Sequence, residues 1–494
     1  MLSNMNIARL KKMTFILTAF CLLSVSVFST DVFSVKAFSA ETTARTRGAS
    51  AETGGTAASA EPADGSQEKA DSSQESTPAP EDQGLTLDQV VVLSRHNIRS
   101  PLSTKGSAVN DLCAHEWFEW TSNPSELSLR GAMLETTMGQ YFRLWLEKEG
   151  LFPENYIPEN GAVRFYANGL QRTQATARYF SAGLLPVAVL PVECKVGYNE
   201  KDNTFLPNVY FLNDAYEKDA LAEVYERGGG EKLEGLRASL DPAFRLLAEV
   251  TDMEETEAFK NGEYGNFFED PLNFSLTQMN EPTIKGPLGT AVSLADALVL
   301  QYYEEADKKK AAFGHDLSEE DWKTIGSVLR ANLDIRFGTP LLAVNESHLM
   351  LEELLSEMNA KGRKFTFLCG HDSTVASVLS ALGVEAYTLP GAIEPTAPIG
   401  VKVVFERWVN KEGEGFYKVS MVYQSVDQLR SIQPLSLDTP PMIVPIHFKD
   451  AGVGENGMIP EKDLEGLFED RIDSYYELEE IYQEEETEEL DHAA

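Results

Sequence analysis

The chain has 494 residues and a formal charge of −36, with 78 Asp and Glu against 42 Lys and Arg. That balance excludes a nucleic-acid-binding surface, which needs a basic face. Of the four cysteines, Cys21 lies in an apolar prefix. The remaining Cys113, Cys194 and Cys369 are an odd set that excludes a disulfide scaffold and allows at most one intrachain bridge.

Residues 1–40 read as a secretory signal. Arg9, Lys11 and Lys12 precede an apolar stretch from Phe15 to Phe28, and Ser39 and Ala40 offer a cleavage point. The stretch is short for a span of roughly 20 residues and no second one follows, so the expectation is a soluble exported protein, periplasmic or extracellular. Residues 41–83 contain no aromatic residue and no Leu, Ile, Val or Met, and are predicted to be a disordered spacer. The remaining stretch of about 400 residues can build a large core.

Within it, Val90–Leu93 is a predicted buried strand and Leu127–Leu151 a helix with Leu134, Met138, Tyr141, Phe142 and Trp145 at helical spacing. Val163–Ala167 alternates like a strand, and Gln171–Leu184 is helical. Residues 195–334 read as an inserted, mainly helical cap that includes helices at 293–305 and 319–331, with another helix at 347–358 following. The pattern then returns to a buried strand at Phe365–Cys369, a helix at 375–382, and late strands at 402–408 and 417–423. Strands alternating with helices at both ends predict an α/β sandwich with a mixed, mostly parallel sheet, formed by residues 84–194 and 335–460. Residues 461–494 carry 15 acidic residues against Lys462 and Arg471, and are predicted to be an acidic tail, with 477–491 a solvated helix or loose segment.

Three segments place polar residues behind a strand, where ligands bind in α/β sheets. The first gives Arg95, His96 and Arg99, the second Arg172, and the third His371 and Asp372. Arginines in this density suit an oxyanion with several oxygens, and a histidine among them is a candidate nucleophile. His96 is therefore the expected nucleophile. Arg95, Arg99, Arg172 and a charged His371 are the expected phosphate clamp, and Asp372 the expected general acid, which implies an acid optimum. No cofactor or metal motif is found. Gly-His-Asp occurs twice, but Gly314-His315-Asp316 precedes a helix-start signature at Ser318 and reads as a loop between helices.

Together the three segments resemble the histidine acid phosphatase family, whose pattern is Arg-His-Gly-x-Arg-x-Pro early and His-Asp late. Arg95-His-Asn-Ile-Arg-Ser-Pro-Leu102, Tyr166-Ala-Asn-Gly-Leu-Gln-Arg-Thr173 and Gly370-His-Asp-Ser373 look like its bacterial periplasmic glucose-1-phosphatase subgroup. The resemblance runs from about Leu87 to Pro440. It implies a phosphohistidine intermediate and a small-molecule phosphomonoester substrate such as glucose-1-phosphate. Asn97 and Leu102 match the subgroup over its phytase relatives, although Thr104-Lys105 follow close behind. Glu281, in Glu281-Pro282, is carried over as a possible substrate-side group. Most family cysteines are missing. The alternatives are a phytase and, from another class, a non-catalytic phosphate-binding surface module.

Overall fold

The computed structural model describes residues 84–102 and 107–493, with side chains to 483. The predicted signal, the spacer and residues 103–106, which include Thr104 and Lys105, lie outside the described residues. The elements are β1 (Thr86–Arg95), α1 (Leu129–Lys148), β2 (Val163–Ala167), α2 (Gln171–Leu184), α3 (Asp214–Gly228) and α4 (Asp241–Val250), then the short strands β3 (Asn273–Ser275) and β4 (Thr283–Lys285). They continue with α5 (Pro287–Glu304), α6 (Glu319–Phe337), α7 (Pro340–Met358), β5 (Phe365–Gly370), α8 (Asp372–Ala381), β6 (Lys402–Val409), β7 (Gly415–Tyr423), β8 (Met442–Pro445), β9 (Ile459–Pro460) and α9 (Glu461–Ala493).

The main sheet runs β2-β5-β1-β6-β7-β8, with β9 also on β7. It is mixed, as expected, but not mostly parallel. Among the described residues only β1/β5 and β2/β5 pair parallel, whereas β1/β6, β6/β7, β7/β8 and β7/β9 are antiparallel. The reason is local. A five-residue connection joins β6 to β7 around Gly413 at φ +87°, too short for a crossover, so the late strands return as hairpins. The three strands that precede the polar segments are the parallel ones, and their C-terminal ends fall on one edge.

Helices α1 and α2 cover one face of the sheet through Phe142, Phe180, Phe365 and Phe367. Helices α7, α8 and α9 cover the other through Leu351, Val378 and Phe468. A separate apolar cluster holds α3, α4, α5 and α6 together, built on Phe244, Leu294 and Ile325. The acidic C-terminal segment is a helix rather than a loose tail. Leu464, Leu467 and Phe468 are buried in the sheet-covering cluster, while Tyr475 and Tyr482 are buried in the helical one, so α9 bridges the two. Its acidic residues Asp463, Glu469 and Asp470 stay exposed. Cys113, Cys194 and Cys369 are all free thiols. Cys369 is fully buried in β5, the core role its apolar neighbours predict.

One buried ion pair sets the turn after β1. Lys402 Nζ and Glu135 Oε1 lie 2.8 Å apart with neither side chain exposed. Asn97 Nδ2 donates to the same Glu135 oxygen at 2.7 Å, and Asn97 Oδ1 accepts from Ile98 N at 2.8 Å. Lys402 also donates to Gly400 O at 2.6 Å. Gly400 has φ +67° and packs against the Asn97 amide, so no side chain fits there. Asn97 is therefore spent on the fold. Its amide faces the core and is held by Glu135.

Removing one partner of such a pair leaves an uncompensated buried charge. Lys402→Met should lower unfolding free energy in urea by about 3–5 kcal/mol. The double variant with Glu135→Leu should recover most of that loss; additive losses would contradict the pairing account.

Candidate active site

Parallel register builds the site. Arg95 pairs with Gly370 across β1/β5, and Ala167 pairs with Cys369 across β2/β5. The residues that follow therefore leave the sheet side by side. The His96 and His371 rings are 5.6 Å apart between centroids, in an edge-on arrangement. Two helices start at this edge: α2 brings Arg172 as its second residue, and α8 has Asp372 as its first. A carboxylate suits that position, because the helix N-terminus presents free N–H groups and a partial positive charge.

His96 is 3 % exposed, and its Nδ1 lies 2.9 Å from Asn97 O. A carbonyl can only accept, so Nδ1 carries the hydrogen and Nε2 is left with a free lone pair. Burial lowers the His96 pKa well below 6.5, and Arg172, Arg99, His371 and Arg95 push it the same way. The imidazole is neutral.

His371 is fixed from the next strand end. Its Nε2 accepts from Asn168 Nδ2 at 2.8 Å, and that amide is oriented by Asn168 Oδ1 accepting from Asp202 N at 3.0 Å. Arg172 Nη2 stands 3.5 Å from the other ring nitrogen. Burial and Arg172 lower the His371 pKa well below 6.5, outweighing Asp372. The cations that make the site a clamp thus disfavour the charged form of His371 in the free protein.

Arg95 and Arg99 are held by their terminal nitrogens. Arg95 Nη1 donates to Glu394 Oε1 and, at 2.6 Å, to Ala397 O, while its Nη2 faces Asp372 Oδ2 at 3.4 Å. Arg99 is bidentate to Asp296, both bonds 3.1 Å. Burial, then Arg99, lower the Arg172 pKa to about 10. The Nε–H groups of Arg95, Arg99 and Arg172 are all buried and lack a partner among the described residues. Three orphaned donors around one neutral imidazole are a site built for an oxyanion, since a buried unpaired N–H is otherwise costly.

Asp372 has 40 % of its side chain exposed. Burial raises its pKa, but Arg95, His371 and Arg99, with the Ser373 N–H donating at 3.0 Å, outweigh this and hold it below the usual carboxylate value. The cavity beside it is lined by Asp296, Leu329, Arg330, Leu333, Pro395 and Thr396, all from the cap-side helices and the loop before β6.

The structure thus brings Arg95, His96, Arg99, Arg172, His371 and Asp372 together. It does not join Glu281 to them by any hydrogen bond or ion pair among the described residues. Glu281 instead pairs with Arg336 at 2.7 Å. The second Gly-His-Asp copy lies between helices, with Asp316 exposed and paired to Lys309 at 3.0 Å. Ser318 and Asp321 form the capping box of α6. Sequence reasoning missed Asn168, Asp296 and Glu394. Asn168 sat in a segment already singled out, directly behind a strand. The other two lie far from any motif, and only the need of buried arginines for counter-charge points to such residues.

The family model for the histidine phosphatase superfamily (branch 2) matches residues 86–285. A glucose-1-phosphatase from Providencia rettgeri is 34 % identical over 387 residues, covering 77 % of this chain and 91 % of that protein. A second, from Salmonella typhimurium, is 33 % identical, covering 76 % and 91 %. Among solved structures, the apo form of Hafnia alvei phytase superposes with a TM-score of 0.72 at 26 % identity, over 78 % of this chain and 97 % of that one. With motif, register and orphaned donors already in place, these likenesses assign the chain: it belongs to the histidine phosphatase superfamily, in its second branch.

Proposed function

We propose that this chain is an exported acid phosphatase that hydrolyses small phosphomonoesters, sugar phosphates such as glucose-1-phosphate first among them. The observation that carries the reading is the neutral, buried His96 with a free Nε2 among three arginines whose Nε–H groups are unpartnered. His96 Nε2 attacks phosphorus, and the bond from phosphorus to the alcohol oxygen breaks. Asp372 gives its proton to that oxygen, which leaves as the alcohol. The arginines, with His371, hold the equatorial oxygens as charge shifts. In the second half, ionised Asp372 takes a proton from water. The water oxygen bonds to phosphorus, the N–P bond breaks, and inorganic phosphate and free His96 return.

The direction of the pH dependence follows. Because His96 is neutral well below pH 6.5, acid does not remove the nucleophile until far below the imidazole range. Asp372 is active as an acid only below its pKa in the complex, and that pKa is low in the free protein. Bound phosphate, being anionic, raises it. Activity is therefore expected to fall as pH rises through the Asp372 titration.

Two observations support a sugar phosphate over phytate. The glucose-1-phosphatase relatives share a third of their residues with this chain. Beyond Arg95, the only cation that lines the cavity beside Asp372 among the described residues is Arg330, and it is paired with Asp334 at 3.2 Å. A substrate with many phosphates needs more unpaired cations than that. Phytase activity stays the second reading, favoured by the fold shared with Hafnia alvei phytase. Export rests on the residue pattern of the first 40 residues; no helix among the described residues is long and apolar enough to cross a membrane.

Purified protein should release phosphate from glucose-1-phosphate with a higher kcat/KM than from phytate, both assayed at acid pH. The reverse order would favour the phytase reading, and no release from either would end the enzyme reading. His96→Ala should lose about 10⁴-fold or more in kcat. Asp372→Asn should slow alkyl phosphates by about 10²–10⁴-fold and 4-nitrophenyl phosphate far less, because that leaving group needs no proton; equal losses would remove Asp372 from the acid role.

A further inference from the structure

Behind the arginines stand two carboxylates that no motif marks. Glu394 is 5 % exposed. Its Oε1 accepts from Arg95, and its Oε2 accepts from Tyr303 OH at 3.0 Å and from Ile399 N at 3.1 Å. With Nη1 taken by Glu394 and Ala397 O, Arg95 turns Nη2 toward Asp372 and keeps Nε free. Asp296 does the same for Arg99 by occupying both of its terminal nitrogens. Asp296 and Tyr303 are seven residues apart on α5, about two turns, and so share one face of that helix. A single helix outside the sheet therefore supplies the counter-charge of one arginine and braces the counter-charge of the other.

We propose that Glu394 is a positioning residue that holds Arg95 and offsets its charge, so that Asp372 keeps the proton it must hand to the leaving group, with Asp296 acting likewise through Arg99. This rests on the reading of Asp372 as the general acid. The charges around Asp372 are Arg95, Arg99 and Arg172 on one side, and Glu394 and Asp296 on the other. His371 and the Ser373 N–H complete its surroundings, and Arg330 on α6 lines the same cavity but is paired with Asp334. Every cation favours the carboxylate form and every anion favours the acid form. A phosphate clamp needs the cations, whereas a general acid beside it is weakened by them. Glu394 reconciles the two by cancelling Arg95 on the side away from phosphate.

The test is the pH profile of kcat/KM for two esters, glycerol phosphate and 4-nitrophenyl phosphate, in the wild type, Glu394→Gln and Asp296→Asn. Ionisation of each substrate is common to all three proteins and cancels. Glu394→Gln keeps the shape of the side chain and removes its charge. The basic limb for glycerol phosphate should move to lower pH by roughly half a unit or more. The limb for 4-nitrophenyl phosphate should stay in place, because that ester does not need the acid. Asp296→Asn should shift the glycerol phosphate limb in the same direction by a smaller amount, and it decides the matter alone if Glu394→Gln does not fold. A uniform loss of rate with both limbs in place would overturn the proposal, as would an equal shift for both esters. Asp372→Asn separates the two readings. If it slows both esters alike, the acid assignment itself fails. If it spares 4-nitrophenyl phosphate while the limbs of Glu394→Gln and Asp296→Asn stay fixed, only the role of Glu394 and Asp296 fails.

Discussion

The in-register parallel pairing of β1 with β5 is the constraint on which the site depends. A slip of one residue would turn every side chain of one strand to the other face, and both faces here are packed. Val91 and Leu93 face one apolar cluster, while Val90 and Val92 face the other, so register is held by the core itself. Because the two strands then end together at Arg95 and Gly370, His96 and His371 are adjacent without any contact of their own needing to hold them there. The catalytic geometry is a by-product of hydrophobic packing in the sheet, refined at its end by Asn168 and Asn97.

What packing cannot supply is charge balance. Arg95 and Arg99 are 3 % and 6 % exposed, and burying an isolated guanidinium costs several kcal/mol. The protein meets this with Glu394, Asp296 and Asp372, and leaves one N–H of each arginine without a partner. The same cations lower the pKa of both histidines, which suits a nucleophile at His96. The large net negative charge of the chain has little part in this. Part of it lies on α9, where Asp463, Glu469 and Asp470 are exposed, and exposed charges beyond about 8–10 Å are screened at physiological salt.

The site residues that touch phosphate in the proposed mechanism were legible because each sits directly behind an apolar strand, a position with meaning in an α/β sheet. The helix Gln171–Leu184 and the strand Val163–Ala167 were legible for the same reason, since periodicity and turn residues agree there. The starts of three other helices were not. The helices expected from Ser293 and Ser347 begin at Pro287 and Pro340, where proline supplies a helical φ at a position that needs no N–H donor. The helix expected from Val375 begins at Asp372, which is how the acid comes to stand on a helix end. Sheet polarity was misjudged because the short β6–β7 connection weighs less in a pattern of strands and helices than the long crossovers before it. Glu394 and Asp296 were illegible since their partners lie 299 and 197 residues away. The commitment of the Asn97 amide to Glu135 was illegible as well, since that contact depends on α1 crossing beneath the turn.

Covalent catalysis by His96 is the claim on which the functional account stands. The direct measurement is rapid acid-free quenching of the protein during turnover of a phosphomonoester, followed by mass spectrometry of its peptides. The account predicts a single phosphoryl group on the imidazole of His96, stable to base, labile to acid, and gone in His96→Ala. Turnover without any phosphohistidine, or with the phosphoryl group on another residue, would contradict it.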